Sequence, residues 1–403
     1  MKSDYYFLYH GDCRAGLGYV PDSSVDSIVT DPPYELGFMG KAWDKSGIAY
    51  DVAMWAECLR VLKPGGHLLA FSGTRTYHRM ATAIEDAGFE IRDMTPWHYA
   101  QGMPKSRNLD GEWEGWGTAL KPATEPICVA RKPFKGSVAN NVAIYGTGAL
   151  NIDGCRVPTS DEIGSTMNPD IRGNRYNSDN SDRARAGEYV PSELGRWPAN
   201  MLHDGSPEVL AMFPEAKGAL AAVTGNEPTE HGFGGTVYGK PGDTRRALSV
   251  PRIEADKSAA RFFFCAKASP TDRHEGIGRP APQFKHGTTL RQVEVAAAAG
   301  ALAGNTHPTV KPTSLMQYLT RLVTPPGGIV LDPFMGSGST GKACIREGFH
   351  FIGFELDAAH IAIADARIKH ELLKLGIEAP ADPIVTFPQP EPAADEAPQL
   401  ALI

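Results

Sequence analysis

Residues 329–355 constrain the fold of this chain more than any other stretch. An apolar strand pattern, Ile329–Leu331, opens onto Asp332-Pro333-Phe334-Met335-Gly336-Ser337-Gly338-Ser339-Thr340. A helical pattern through Ile345 follows and is capped by Gly348, and a strand pattern, His350–Phe354, ends in Glu355. Strand, glycine loop, helix, strand and acid in that order form one βαβ nucleotide-binding unit. Such a unit demands a largely parallel sheet with helices packed on its faces.

Gly336 and Gly338 let the backbone come close to a ligand at the helix N-terminus, and Glu355, 17 residues past Gly338, stands where an acid bonds the two hydroxyls of a ribose. NAD or S-adenosylmethionine would suit such a loop. The same residues come close to a P-loop: Gly336-Ser-Gly-Ser-Thr-Gly341-Lys342 fits G-x-x-x-x-G-K, but Ala343 stands where a hydroxyl would hold magnesium. A nucleotide-triphosphate-driven protein acting on DNA is therefore the remote alternative.

The N-terminal part has the same alternation. Tyr5–Tyr9 reads as a strand running into Gly11-Asp12, and Val25–Thr30 as the next. Trp55, Cys58, Leu59 and Leu62 share a helical face that Lys63-Pro64-Gly65-Gly66 ends. His67–Phe71 is a buried strand, Tyr77, Met80, Ile84 and Ala87 a helix stripe closed by Gly88, and Phe89–Asp93 a strand. From about 135 to 257 the rhythm breaks into Gly, Asn, Ser, Asp, Pro and Arg with short fragments such as Val142–Tyr145 and Met201-Leu202, as expected of an inserted irregular domain or long surface loops. It returns from His307, with Leu315, Leu319, Leu322 and Val323 on one helix.

The end of the Val25–Thr30 strand carries Asp31-Pro32-Pro33-Tyr34. Two prolines fix φ and remove two N–H donors, leaving an acceptor carboxylate, acceptor carbonyls and an aromatic face. That set suits a flat base bearing an exocyclic amine; a proline turn with a half-buried tyrosine is the plainer reading. Phe38, Trp43, Trp97 and Tyr99 are aromatic candidates for the same pocket.

Composition adds limits. Charged residues make up 22% and no apolar run reaches the roughly 18 residues of a membrane helix, so a soluble, cytoplasmic protein with no membrane partner is expected. Six dispersed cysteines form no C-x-x-C pair, which argues against zinc and a disulfide framework. The net charge of −7 is unevenly spread: residues 371–403 hold six acids and one Lys in a Pro/Ala-rich tail that reads as disordered, whereas residues 240–291 hold eleven Lys/Arg against five acids. Global charge therefore leaves nucleic acid open as a partner, and the basic stretch favours it.

With these motifs in order, the chain resembles the β-class amino-methylating DNA methyltransferases of bacteria and phages, in which the catalytic motif precedes the cofactor loop. Asp31–Tyr34, Gly11-Asp12, Leu62–Gly66, Asn305-Thr306-His307-Pro308-Thr309-Val310-Lys311-Pro312 and Asp332–Gly338 carry the resemblance, which covers roughly 1–134 and 258–370. It implies a Rossmann-like, circularly permuted sheet that binds S-adenosylmethionine. By this resemblance Asp332, Phe334, Gly336 and Gly338 line the methionine end of the cofactor, Glu355 holds its ribose and Asp12 its adenine amine. The His307–Pro312 segment leads a helix whose N-terminus receives the cofactor carboxylate, with Lys311 adding charge. Asp31, Pro32, Pro33 and Tyr34 form the catalytic set, with no metal. The implied substrate is double-stranded DNA with its target base flipped, most often adenine at N6 because Asp leads the motif, with cytosine N4 as the alternative. Residues 135–257 would read the target sequence. A monomer or homodimer is expected, and the sequence names no restriction enzyme as partner.

Overall fold

The computed structural model describes residues 5–37, 42–100, 102, 106–159, 163–165, 190–192, 194–215, 258–266, 269–277 and 304–386. The chain divides into two compact units, one of Met1–Cys155, Asn200–Ser206 and Cys265–Ile403, the other of Arg156–Ala199 and Pro207–Phe264.

The first unit is a sheet flanked by helices. Its strands and helices are β1 (Tyr6–His10), α1 (Cys13–Leu17), β2 (Val25–Thr30), α2 (Val52–Val61), β3 (Leu62–Phe71), α3 (Tyr77–Asp86), β4 (Glu90–His98), β5 (Thr124–Arg131), α4 (Val138–Tyr145), β6 (Leu202–His203), α5 (Pro270–His274), α6 (Thr313–Val323), β7 (Ile329–Asp332), α7 (Ser339–Glu347), β8 (His350–Glu355), α8 (Ala358–Lys374) and β9 (Ile384–Thr386). The strand order is β9-β1-β8-β7-β2-β3-β5-β4-β6. Strands from the two ends of the chain thus interleave: β7 and β8 pair parallel to each other and sit between β1 and β2.

β5 is antiparallel to both β3 and β4, the exception to the expected parallel rhythm. It contains an apolar run, Ile127–Ala130, that is buried throughout, so it carries no alternation to betray a strand. The order of the remaining strands makes the Rossmann-like sheet that the βαβ unit predicts.

Helix α2 shows how the core is set. Asp51 caps it, accepting from Ala53 N at 2.9 Å and Met54 N at 3.3 Å. Met54, Trp55, Cys58 and Val61 then fall on one buried face against β2 and β3. Lys63–Gly66 does more than end this helix. The register passes from Val25↔Leu62 to Ser27↔His67, so those four residues bulge out opposite Asp26.

That bulge explains a shift in boundary. The carbonyl of Pro64 accepts from Asn141 Nδ2 at 2.8 Å and Thr147 Oγ1 at 2.6 Å. Residues 135–155 therefore belong to the first unit, and the Val142–Tyr145 fragment is the end of α4, capped by Ser137 and closed by Gly146 at φ 77°. The tail also starts later than residue 371: α8 continues to Lys374 because Glu371 pairs with Arg346, and β9 adds to the edge beside β1. Residues 387–403 lie outside the described residues.

The second unit holds the antiparallel pair Ile163–Ser165 and Val190–Ser192 and bridges Val157↔Arg196 and Glu215↔Ser258. Phe213 packs on Phe263 at 5.4 Å between centroids, and the guanidinium groups of Arg196 and Arg261 lie over Phe262. Among the described residues no helix is long and apolar enough to cross a membrane.

Trp55 is fully buried and donates from Nε1 to Ala49 O at 3.0 Å. Trp55→Ala should cost about 3–5 kcal/mol of stability, read as a lower urea midpoint by circular dichroism; a loss below about 1 kcal/mol would contradict this core.

Candidate active site

β2 and β7 are neighbours, with Ser27 opposite Val330 and Ile28 opposite Leu331. Their carboxyl ends, Thr30-Asp31 and Asp332, therefore reach the same edge of the sheet. From there the chain leaves in opposite directions, towards β3 from β2 and towards β8 from β7. This is the topological switch point at which α/β sheets hold ligands. A cleft of about 1190 Å³ opens there, lined by Asp12, Asp31–Tyr34, Asp332–Ser337 and Glu355 among others. At this edge the structure brings together motifs three hundred residues apart.

The glycine loop is tied down from beneath. Asp332 is buried and accepts from Thr30 Oγ1 at 2.6 Å, Thr340 Oγ1 at 2.6 Å and Phe334 N at 3.0 Å. Burial outweighs these donors and pushes its pKa up to about 7. Its carboxylate is thus spent on the loop itself, which differs from a direct hold on the cofactor. Arg367, fully buried, donates to Ser337 O and Ser337 Oγ from the far side.

The two glycines differ. Gly336, at φ 51°, faces the cleft, and a Cβ there would meet His307 Nε2 at 2.7 Å. Gly338, at φ 77°, does not line the cleft: a Cβ there would meet Ala364 Cβ at 2.9 Å. It is required by the close approach of α8 rather than by ligand access, which corrects its assignment to the cofactor. Lys342 likewise points away from the cleft. It is fully buried against Asp272 at 2.7 Å, Glu275 at 3.0 Å and Glu371 at 3.3 Å. A P-loop lysine must reach phosphate, so this placement removes the triphosphatase alternative.

On the far side of β7, β1 and β8 run side by side with His10 opposite Glu355. Glu355 and Asp12, two residues past His10, both face the cleft. Asp12 caps α1 through Arg14 N at 2.9 Å and pairs with the Arg14 guanidinium at 2.5 Å; Glu355 accepts from Asp357 N at 2.8 Å.

The His307–Pro312 segment departs from expectation in two places. The first N–H of α6, on Thr313, is taken by Asp272 Oδ2 at 2.8 Å, so this helix end already holds an internal anion. Lys311 turns to the other end of the cleft, where its ammonium meets Asp31 Oδ2 at 2.5 Å and Glu125 Oε2 at 3.4 Å. Burial opposes that charge, but the two carboxylates outweigh it and raise the Lys311 pKa. His307 packs edge-on against His360 at 4.7 Å between ring centroids, and burial beside His360 lowers its pKa to about 3, so it is neutral.

Asp31 sits with one oxygen on Lys311 and the other, Oδ1, buried with no hydrogen-bond partner among the described residues. Burial raises its pKa, Lys311 opposes that rise, and Glu125 adds to it. Tyr34 and Tyr99 line the same end; Trp97 stands one step back, its ring 5.1 Å from Tyr99. Phe38 and the Trp43 side chain lie outside the described residues. Sequence reading passed over Glu125, Thr30, Thr340 and Arg367. Glu125-Pro126 opening an apolar run was the available signal, an acid–proline pair like Asp31-Pro32.

A Rossmann-like sheet with a nucleotide loop and an acid–proline–proline–aromatic motif at one switch point defines an amine-directed methyltransferase. The chain belongs to the N6/N4 DNA methylase family, whose model matches residues 25–366. It is 24% identical over 404 residues to the type II methyltransferase M.SfiI of Streptomyces fimbriatus, spanning 87% of this chain and 88% of that one. It is 31% identical over 116 residues to type II methyltransferase M.HindIII of Haemophilus influenzae, spanning 25% of this chain and 38% of that one. The solved complex of M1.HpyAVI with S-adenosylmethionine aligns at a TM-score of 0.41 and 18% identity over 90% of this chain and 98% of that one. The methyl donor of the family is S-adenosylmethionine. The cleft fits it: Asp12 and Glu355, at the ends of adjacent parallel strands, offer acceptors to a nucleoside, and a carboxylate with a buried unpaired oxygen stands at the other end.

Two measurements check this geometry. Gly338→Ala should destabilise the unliganded protein by about 2–4 kcal/mol through its left-handed backbone and the contact with Ala364, read by urea denaturation. Asp332 binds its proton more tightly in the folded protein than in the unfolded one. Its contribution is therefore complete near pH 4 and lost as pH rises through about 7. The stability of the wild type relative to Asp332→Asn should fall over that interval; a constant difference would show an unshifted carboxyl.

Proposed function

We propose that this DNA methyltransferase acts on the N6 amine of adenine, with Asp31, Pro32, Pro33 and Tyr34 at the acceptor amine. The buried Asp31 carboxylate at the switch point carries this reading. Asp at the head of the motif, as against the Ser more frequent in cytosine-N4 enzymes of this class, favours adenine.

S-adenosylmethionine, when bound, supplies a methyl carbon on a positively charged sulfur. Glu355 would bond the ribose hydroxyls, Asp12 the adenine amine, and Phe334 and the Gly336 backbone would border the methionine end. Asp31 and the Pro32 carbonyl accept hydrogen bonds from the target amine, directing its lone pair away from the ring plane. As the new N–C bond forms at the expense of the S–C bond, with a neutral thioether as leaving group, positive charge moves to nitrogen, and the preorganised carboxylate would favour that charge over the neutral amine. One amine proton is then released. Tyr34 stacks on the base, which leaves the duplex at a cost of a few kcal/mol. Residues 135–257, which include most of the second unit, are our candidate for reading the target sequence through polar and Arg side chains.

Purified protein incubated with methyl-labelled cofactor and mixed-sequence DNA, followed by digestion to nucleosides, should yield N6-methyl-2′-deoxyadenosine. Asp31→Ala should lower the rate by about 10²–10³ or more while calorimetry shows cofactor affinity nearly unchanged. Label on cytosine N4 would reassign the base, and a large loss of cofactor affinity would move Asp31 out of the acceptor site.

A further inference from the structure

The acceptor end of the cleft contains one more acid than the chemistry above uses. Glu125 opens β5, the strand that runs against its neighbours. Phe71 pairs with Ile127 on β5 and Ala70 pairs with Thr30 on β2, so the first residues of β5 lie at the edge where β2 ends. A parallel strand would have placed Glu125 at the opposite edge. Its carboxylate instead shares Lys311 with Asp31, and Lys311 is buried between the two with the rings of Phe71 and Tyr34 at 5.0 and 5.4 Å; the hydroxyl of Tyr34 faces both carboxylates and that of Tyr99 faces Glu125.

This arrangement poses a problem for Asp31. A carboxylate held at 2.5 Å by an ammonium is a weakened acceptor for an amine and forms a neutral pair with it. Asp31 Oδ1 stays open to the amine, but the reaction also needs a net negative charge beside a nitrogen that is becoming positive. Glu125 supplies that charge. With Lys311 counted as +1 and two carboxylates as −2, the buried cluster keeps a net charge of −1.

We propose that Glu125 is a positioning residue that takes the Lys311 ammonium when the target amine arrives at Asp31. Lys311 thereby alternates between two carboxylates, guarding Asp31 against protonation in the empty enzyme and leaving it as acceptor in the loaded one. The proposal rests on the acceptor-site role of Asp31. It predicts a sign that a structural role for Glu125 would not produce. In Glu125→Gln, Lys311 has no second carboxylate and stays on Asp31, so transfer slows. Removing Lys311 as well, in Glu125→Gln/Lys311→Met, frees Asp31 and restores the charge of −1.

The test uses four full-length proteins: wild type, Glu125→Gln, Lys311→Met and the double variant. Methyl transfer to DNA is measured from pH 6 to 9, together with affinity for the same DNA in the absence of cofactor by fluorescence anisotropy. Calorimetric cofactor binding shows that each protein is folded. We expect Glu125→Gln to lose on the order of 10–100-fold in kcat and to bind DNA more weakly, consistent with the loss of a preorganised electrostatic partner. The double variant should regain at least a third of the lost activity on a logarithmic scale and recover DNA affinity. Lys311→Met alone leaves two uncompensated acids, so its acid limb should move to higher pH than that of the wild type. A double variant no faster than Glu125→Gln would overturn the proposal, as would an unmoved acid limb in Lys311→Met. Absence of transfer by the wild type would instead refute the acceptor-site reading, leaving the DNA-affinity comparison to judge Glu125.

Discussion

The buried carboxylate of Asp332 joins three segments that the chain delivers separately: Thr30 at the end of β2, Phe334 in the glycine loop and Thr340 in α7. Three donors on one carboxyl satisfy groups that would otherwise be costly to bury. They also fix where Asp31 stands relative to the loop, since Thr30 and Asp31 are consecutive. Asp31 and the glycine loop are separated by about three hundred residues of sequence, and one hydrogen bond, Thr30 to Asp332, joins their segments in space. Their alignment therefore depends on Asp332.

Behind that carboxyl lies a second layer of charge. Lys342, Arg346 and Arg367 interleave with Asp272, Glu275 and Glu371 on α5, α7, α8 and the turn after α5. Asp272 also takes the first N–H of α6, so one residue links the helix preceding β7 to the helix following it. A group of buried ions contributes little net stability once desolvation is counted, but removing one member leaves its partners uncompensated. The value of the network is geometric: it sets α6, α7 and α8 against one another behind the glycine loop.

How much of this was legible in the sequence follows from how locally each feature is encoded. The βαβ unit at 329–355 is written in contiguous residues, and the structure reproduces it from Ile329 to Glu355. Asp31, Gly336 and Glu355 face the cleft because each follows directly from a strand or a loop whose direction the alternation fixes. Gly338 and Lys311 were misplaced for the opposite reason. The space beside Gly338 belongs to Ala364, and the partners of Lys311 are Asp31 and Glu125, contacts with no counterpart in local spacing. β5 was missed because a uniformly buried strand shows no period, and Lys342 could resemble a phosphate ligand only while its three acids were out of view.

The reversed strand is where fold and chemistry meet most closely. Parallel strands bring only their carboxyl ends to the ligand edge, so residues at strand starts are ordinarily excluded from it. One antiparallel strand breaks that restriction and admits Glu125, already rigid through Pro126, beside the end of β2. The same reversal carries the preceding segment, Ala119–Thr124, along the wall of the cleft. This wall of the cleft is therefore made by a segment that a wholly parallel sheet would have left on the far edge. One acid from a strand end and one from a strand start meet there on a lysine from a third segment, the one that leads into α6.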